Sequence, residues 1–335
     1  MTSPTSVEEG PEHRARSVGI GRAHAKAILL GEHAVVYGAP ALAVPIPQLT
    51  ATASAGRSAE APDGAGSQGG LSFTMTGSLS RTMVTHVSDG LRRLTAAFKA
   101  HTGVTDEAHL DVIVDAAVPP GRGLGSSAAT SRAIVLALAG LFERELSDDA
   151  VFDLVQTAEN VAHGRASGVD AMAVGADAPL RFQAGRAHPL PIGCDAMLVV
   201  ADSGTAGSTK EAVGLLRAGF ERAGRKDRFL DRATELVDTA ASALASGRPE
   251  LLGAQLTEYH ELLRVARLST GPIDAMVAAA LDAGSLGAKI TGGGLGGCMI
   301  ALARPEHARN VTVRLHETGA AQTWVVPLRR RTDHG

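Results

Sequence analysis

The chain has 335 residues, 44% of them hydrophobic and 3% aromatic, with a formal net charge of −3. That length can bury a substantial core and lies near the size at which one core gives way to two lobes. Scattered charge excludes nucleic acid and an anionic membrane surface as main partners, and the sequence has no uncharged apolar run of eighteen residues to span a bilayer.

Residues 1–16 are polar, contain proline and lack the apolar stretch of a signal peptide, so a disordered tail is expected. Residues 17–30 alternate and then turn apolar, a strand pattern interrupted by Lys26 and ending at the turn Gly31-Glu32-His33. A second strand is expected over 41–46. Alternating stretches near 49–55 and 71–76 read as a hairpin, joined across a Gly- and Ser-rich surface loop at 56–70. Helical spacing over 81–101 and a strand over 110–118 follow.

Residues 119–138, PPGRGLGSSAATSRAIVLAL, then ask for opposite backbone chemistry in their two halves. Three glycines in five positions precede an alanine-rich run free of Gly and Pro, predicted to be helical to about Phe142. A glycine turn feeding a helix N-terminus presents unpaired N–H groups to an anion such as phosphate. Read alone, the loop also fits a plain strand-to-helix connection. It is neither a Walker A loop, which needs Gly-Lys-Ser/Thr, nor the G-x-G-x-x-G dinucleotide fingerprint.

Further helices are expected over 146–163, started by Ser147 and carrying Glu159 near its end, and over 171–174, with Asp170 near its start. In isolation Glu159 reads as a solvated helix acid and Asp170 as a surface cap. Strands at 180–183 and 196–201 flank a Pro- and Gly-containing passage at 189–193, where the lobes are expected to divide. Helices over 211–224, 227–245, 250–267 and 272–283 lead to a strand at 287–291. The cluster Gly292-Gly293-Gly294-Leu295-Gly296-Gly297 follows, then a strand at 298–302, a helix at 305–318 and a last strand at 322–327. Five glycines in six positions exceed what a tight hairpin needs and suggest close backbone approach.

Cys194 and Cys298 fit neither a disulfide framework nor a metal pair, which points to buried thiols in a reducing cytoplasm. Lysine is rare beside arginine, and Lys26, Lys210 and Lys289 fall in glycine-rich or helix-start segments. Such positions suggest a need for a compact ammonium.

Three segments together, KAILLGEHAVVYG at 26–38, PPGRGLGSSAA at 119–129 and KITGGGLGGC at 289–298, resemble the three signature motifs of the GHMP small-molecule kinases. Within them the chain is most similar to the mevalonate kinases, through GEHAVVYG, HGRASGVDA at 163–171 and the segment from Asp202 to Glu211. The resemblance implies a two-lobe α/β (α+β) fold, with a ribosomal-protein-S5-like lobe over 17–192, a ferredoxin-like lobe over 193–328, a short tail at 329–335, and the active site between the lobes. It implies transfer of the γ-phosphoryl group of ATP to the 5-hydroxyl of mevalonate with Mg²⁺, in the cytoplasm, and leaves a homodimer open.

On that resemblance Pro119, Gly121, Gly123, Leu124, Gly125, Ser126 and Ser127 would wrap the triphosphate. Ser127 and Glu159 would ligate Mg²⁺, with Ser126 the alternative hydroxyl. Asp170 would accept the hydroxyl proton, and Lys26 would pair with Asp170 and stabilise charge on the transferred group. Glu32, His33, Ser167, Thr209, Gly293 and Gly294 would complete the acceptor pocket, with help from Lys210. Positioning and charge stabilisation should then outweigh proton abstraction, typically worth about 10²–10⁴-fold. The rivals are phosphomevalonate kinase, for which Arg122 and Arg165 offer cations to a second phosphate, other kinases and the decarboxylase of the superfamily, and a non-catalytic sensor with this fold.

Overall fold

A computed structural model describes residues 18–58, 70–77, 89–164, 166–221 and 224–328. The tails expected at both ends, most of the 56–70 loop, the first half of the 81–101 helix and Arg165 lie outside them.

The first sheet is built on two long antiparallel strands, β1 (Gly19–Leu30) and β2 (Ala41–Arg57), joined through a 3₁₀ turn at Ala34–Tyr37. β2 is one strand where two were expected. Its pairing with β1 slips between His24–Thr50 and Ala25–Ile46, so Pro47 to Leu49 bulge out where a proline cannot donate to the ladder. β4 (Leu110–Ala116) pairs antiparallel with β2 over 51–57. β3 (Leu71–Thr76) pairs in parallel with β4 and not with β2, which corrects the expected hairpin. Over 51–55 both edges of β2 are already taken, by β1 and β4, so β3 adds outside β4.

β5 (Leu180–Gln183) pairs with the start of β2, and β6 (Arg186–Pro189), not expected from the sequence, folds back on β5. Ala184 and Gly185 both have positive φ, the geometry of a two-residue hairpin turn. The helices α1 (Asp89–Thr102), α2 (Ser126–Leu141), α3 (Asp148–His163) and α4 (Val169–Ala173) belong to this part of the chain. α2 packs on β1 so closely that a Cβ on Gly21 would stand 2.0 Å from the Ala133 carbonyl. Ser147 caps α3 as expected, accepting from Ala150 N–H at 3.2 Å.

The second sheet has the order β10-β7-β9-β8, with β7 (Ala196–Asp202), β8 (Gly287–Thr291), β9 (Cys298–Ala303) and β10 (Gln322–Leu328), every pair antiparallel. In chain order that is 4-1-3-2, the ferredoxin-like arrangement. Between β7 and β8 run α5 (Thr209–Phe220), α6 (Arg225–Ala245), α7 (Pro249–Val265) and α8 (Gly271–Asp282); α9 (Ala308–Glu317) precedes β10. α5 starts two residues earlier than expected, because Ser208 accepts from Glu211 N–H and takes the cap.

One hydrophobic cluster extends through both sheets, and Cys194 and Cys298 are buried in it as free thiols. Thr291 ties the edge strand β8 to β1: its hydroxyl accepts from Ile28 N–H at 3.1 Å and donates to Ile28 C=O at 2.9 Å. Among the described residues no helix is long and apolar enough to cross a membrane.

Candidate active site

The first glycine loop leaves β4 and enters α2. Gly121, Gly123 and Gly125 all have positive φ, while Arg122 and Leu124 between them do not. Such alternation of left-handed and ordinary backbone is the kind that builds an anion-binding concavity from successive N–H groups. Gly125 caps α2 without a side-chain bond, which leaves the first-turn amides open to a ligand. Pro119 and Leu124 are buried and anchor the loop. The Ser126 hydroxyl donates to Val118 C=O at 3.3 Å, whereas Ser127 is exposed. Of the two serines, Ser127 is therefore the better placed to meet an external ligand.

The second glycine cluster joins β8 to β9 as a hairpin, and it also makes the close approach expected of it. A Cβ on Gly292 would stand 2.5 Å from Gly123 Cα, and one on Gly293 would stand 2.2 Å from Thr209 Oγ1. A side chain at 292 would force the two glycine loops apart, and one at 293 would collide with Thr209.

Lys26 lies where the loops meet. It projects from β1 with 2% of its side chain exposed, forms an ion pair with Asp170 at 2.9 Å and donates to Gly123 C=O at 3.0 Å. Asp170 is the second residue of α4, which starts two residues earlier than the sequence suggested, and its side chain is 37% exposed. A Walker loop carries a lysine within itself; here a lysine of β1 reaches the glycine loop instead.

Beside this pair opens a cavity of about 630 Å³. Lys26, Asp170, Glu32, His33 and Glu159 border it. Ser167, Thr209, Gly123 and Gly293 also reach it. The remaining expected residues are neighbours: Gly294 backs His33, where a Cβ would stand 3.1 Å from Nε2, and Pro119, Gly121, Leu124, Gly125, Ser126 and Ser127 form the adjoining loop. Gln156 and Lys210 border the cavity as well, and the first was not singled out from sequence.

The floor of the cavity holds an ion pair that no local pattern announces. Lys289 on β8 is fully buried and pairs with the Glu32 carboxylate, while Tyr259 of α7 donates to Glu32 C=O at 3.0 Å. Burial pushes the Glu32 carboxyl up from its ordinary range, and the nearby Lys289 ammonium opposes that shift. Burial, and then the Lys289 charge, lower His33 to about 4, so its imidazole is neutral at pH 7. Among the described residues, Glu32 Oε2 and His33 Nε2 are buried without a hydrogen bond. Both belong to side chains that line the cavity, and a hydroxyl or carboxylate of an acceptor would satisfy them.

Arg122 does not extend a free cation toward a second phosphate. Its Nε lies 2.9 Å from Asp202, and its Nη2 donates to Gly204 C=O at 3.0 Å.

No cluster of three or more acidic, His or Cys side chains is present among the described residues. Magnesium does not require one. It binds through one or two protein oxygens plus water and phosphate oxygens; the Glu159 carboxylate lines the cavity and the exposed Ser127 hydroxyl lies on the adjoining loop, both hard-oxygen groups of the type it takes.

The fold has counterparts among known proteins. The family profile of the GHMP kinases N terminal domain matches residues 89–176, and that of the GHMP kinases C terminal matches 240–321. The mevalonate kinase of Pyrococcus horikoshii is 33% identical over 312 residues, covering 90% of this chain and 92% of that protein. That of Thermococcus sibiricus is 33% identical, with 90% and 93% covered. Among solved structures, L. major mevalonate kinase in complex with R-mevalonate superposes with a TM-score of 0.81 at 23% identity, covering 96% of this chain and 98% of that one. With two glycine loops locked together, a lysine–aspartate pair at their junction and relatives alike over nine-tenths of its length, the chain belongs to the GHMP kinases, in the mevalonate kinase family.

Proposed function

We propose that this chain catalyses ATP-dependent phosphorylation of the 5-hydroxyl of (R)-mevalonate to 5-phosphomevalonate. The observation that carries the reading is the Lys26–Asp170 pair, set between an anion-binding loop on one side and a cavity with buried unpaired acceptor-binding groups on the other. Phosphoryl transfer needs little covalent chemistry from the protein; it needs donors for the phosphates, alignment of the hydroxyl and compensation of charge.

The N–H groups of residues 121–127 hold the triphosphate. The Lys26 ammonium, held by Gly123 C=O and Asp170, faces the transferred group and offsets its developing negative charge. Asp170 hydrogen-bonds the 5-hydroxyl and takes its proton as that oxygen bonds to the γ-phosphorus, while the bond from the γ-phosphorus to the β,γ-bridging oxygen breaks and ADP leaves. Glu32 Oε2 accepts from a hydroxyl of the acceptor, and neutral His33 donates to its carboxylate or 3-hydroxyl. Thr209 and Ser167 close the pocket edge. Ser127 and Glu159 would hold Mg²⁺, which would supply charge neutralisation to the bound triphosphate.

The test is an ATP-consumption assay on a panel of mevalonate, phosphomevalonate, galactose and homoserine. Turnover with mevalonate far above the rest is expected. Turnover with another acceptor and none with mevalonate would overturn the substrate assignment, and no turnover with any would favour a sensor.

A further inference from the structure

An arginine inside a phosphate-binding loop is by default read as a phosphate ligand. In this chain the geometry points elsewhere. The Arg122 Nε faces both Asp202 oxygens at 2.9 Å, and Nη2 takes Gly204 C=O. Asp202 is in turn fixed by Gly204 N–H, which donates to its Oδ1 at 2.8 Å. Both side chains are largely desolvated, at 19% and 7% exposed.

The pair sits at a junction of three loops far apart in sequence. Gly207 N–H donates to Gly121 C=O at 3.0 Å, and Ser203 N–H donates to Gly297 C=O at 3.0 Å. A Cβ on Gly297 would stand 2.9 Å from the Arg122 carbonyl oxygen. The first glycine loop is therefore pressed against the end of β7 and the second glycine cluster, and the Arg122–Asp202 pair is the side-chain fastening between them.

We propose that Arg122 is a positioning residue for the nucleotide: through Asp202 it fastens the 121–125 loop to the second sheet, so that the loop's amides are already aligned before a triphosphate arrives. Binding to a loosened loop must include the cost of ordering it, which appears as weaker nucleotide affinity with little change in acceptor affinity. The proposal rests on the kinase reading only in taking the ligand to be a nucleoside triphosphate.

The experiment is a double-mutant cycle over R122A and D202N. It is read first as the Kd of a fluorescent ATP analogue without acceptor, and then as KM for ATP and for mevalonate. Each single variant should weaken nucleotide binding about tenfold, the double variant should be no worse than either, and KM for mevalonate should change less than about threefold. R122K should recover part of the loss. D202N is isosteric and guards against a folding defect in R122A, with thermal melting as the control. If D202N leaves nucleotide affinity unchanged or tighter while R122A weakens it equally in both backgrounds, Arg122 contacts phosphate directly and the proposal is overturned. A wild type that binds the analogue but leaves mevalonate untouched would sink the functional reading alone, because the cycle still judges the fastening.

Discussion

Replacing Lys26 by Met keeps most of the side-chain volume and removes only the ammonium. Two losses follow, and their sizes differ enough to be separated. In stability, removing one partner of a fully buried ion pair costs about 3–5 kcal/mol, because the other charge is left unpaired. Asp170 is 37% exposed, so water can replace the lost partner, and the cost should fall to about 1–2 kcal/mol. For a chain of 335 residues that amounts to a melting shift of about 1–3 °C, and the variant remains folded.

In catalysis, Lys26 is fixed in advance by Gly123 C=O and Asp170, so it needs no reorganisation as charge builds on the transferred group. Removing one preorganised donor of this kind costs about 3–4 kcal/mol, or about 10²–10³ in kcat. The assay is ADP release at saturating ATP and mevalonate, with a melting curve on the same sample. A kcat within about fivefold of wild type would show that Lys26 serves packing and pairing, and that the charge compensation comes from elsewhere.

Asp170→Asn should lower kcat by about two orders or more while leaving nucleotide Kd nearly unchanged; near-wild-type kcat would remove Asp170 from proton transfer. Glu159→Gln should raise the Mg²⁺ concentration needed for half-maximal rate at fixed ATP, and an unmoved titration curve would exclude Glu159 from the metal site. His33→Gln tests the buried imidazole through pH. His33 titrates at about 4 when folded, against an ordinary 6.5 when unfolded, so between those values the unfolded chain binds more protons and stability falls as pH drops. The contribution present above pH 6.5 and lost by pH 4 is about 3 kcal/mol. Urea denaturation of wild type and His33→Gln at pH 7 and 4.5 should therefore show wild type losing more on acidification, and parallel losses would mean His33 is solvated.

What could be read in advance was whatever local pattern encodes. The loop into α2 was legible because glycine spacing and an uninterrupted alanine-rich run are properties of adjacent residues, and Ser147 announced α3 for the same reason. The partner of β3 was not, since period-two alternation is the same for a strand beside β2 as for one beside β4. Lys289 showed only as a polar residue in an apolar strand; its partner Glu32 lies 257 positions earlier. Arg122 was read as a spare cation because its partner is 80 residues away. A shortage of lysine in an arginine-rich chain was the one sequence signal that bore on these pairs: of the three it singled out, Lys26 and Lys289 are buried and paired with carboxylates, whereas Lys210 is exposed.

The two halves of the site solve opposite problems with opposite means. A triphosphate is highly charged and brings its own counterions, so backbone amides suffice to hold it, provided the glycine loop is rigid; Gly292 against Gly123 and Arg122 against Asp202 supply that rigidity. The acceptor is small, and recognising it takes buried side-chain atoms whose own desolvation is already compensated. Glu32 can remain under the pocket with Oε2 unpaired because Lys289 lies beneath it, and the same ammonium helps keep His33 neutral and available as a donor. Lys26 is the element common to both halves. A lysine within the glycine loop would move with the phosphates, whereas one rooted in β1 is held between Asp170 and Gly123 C=O, and on the proposed mechanism it would define the point at which hydroxyl and γ-phosphate meet.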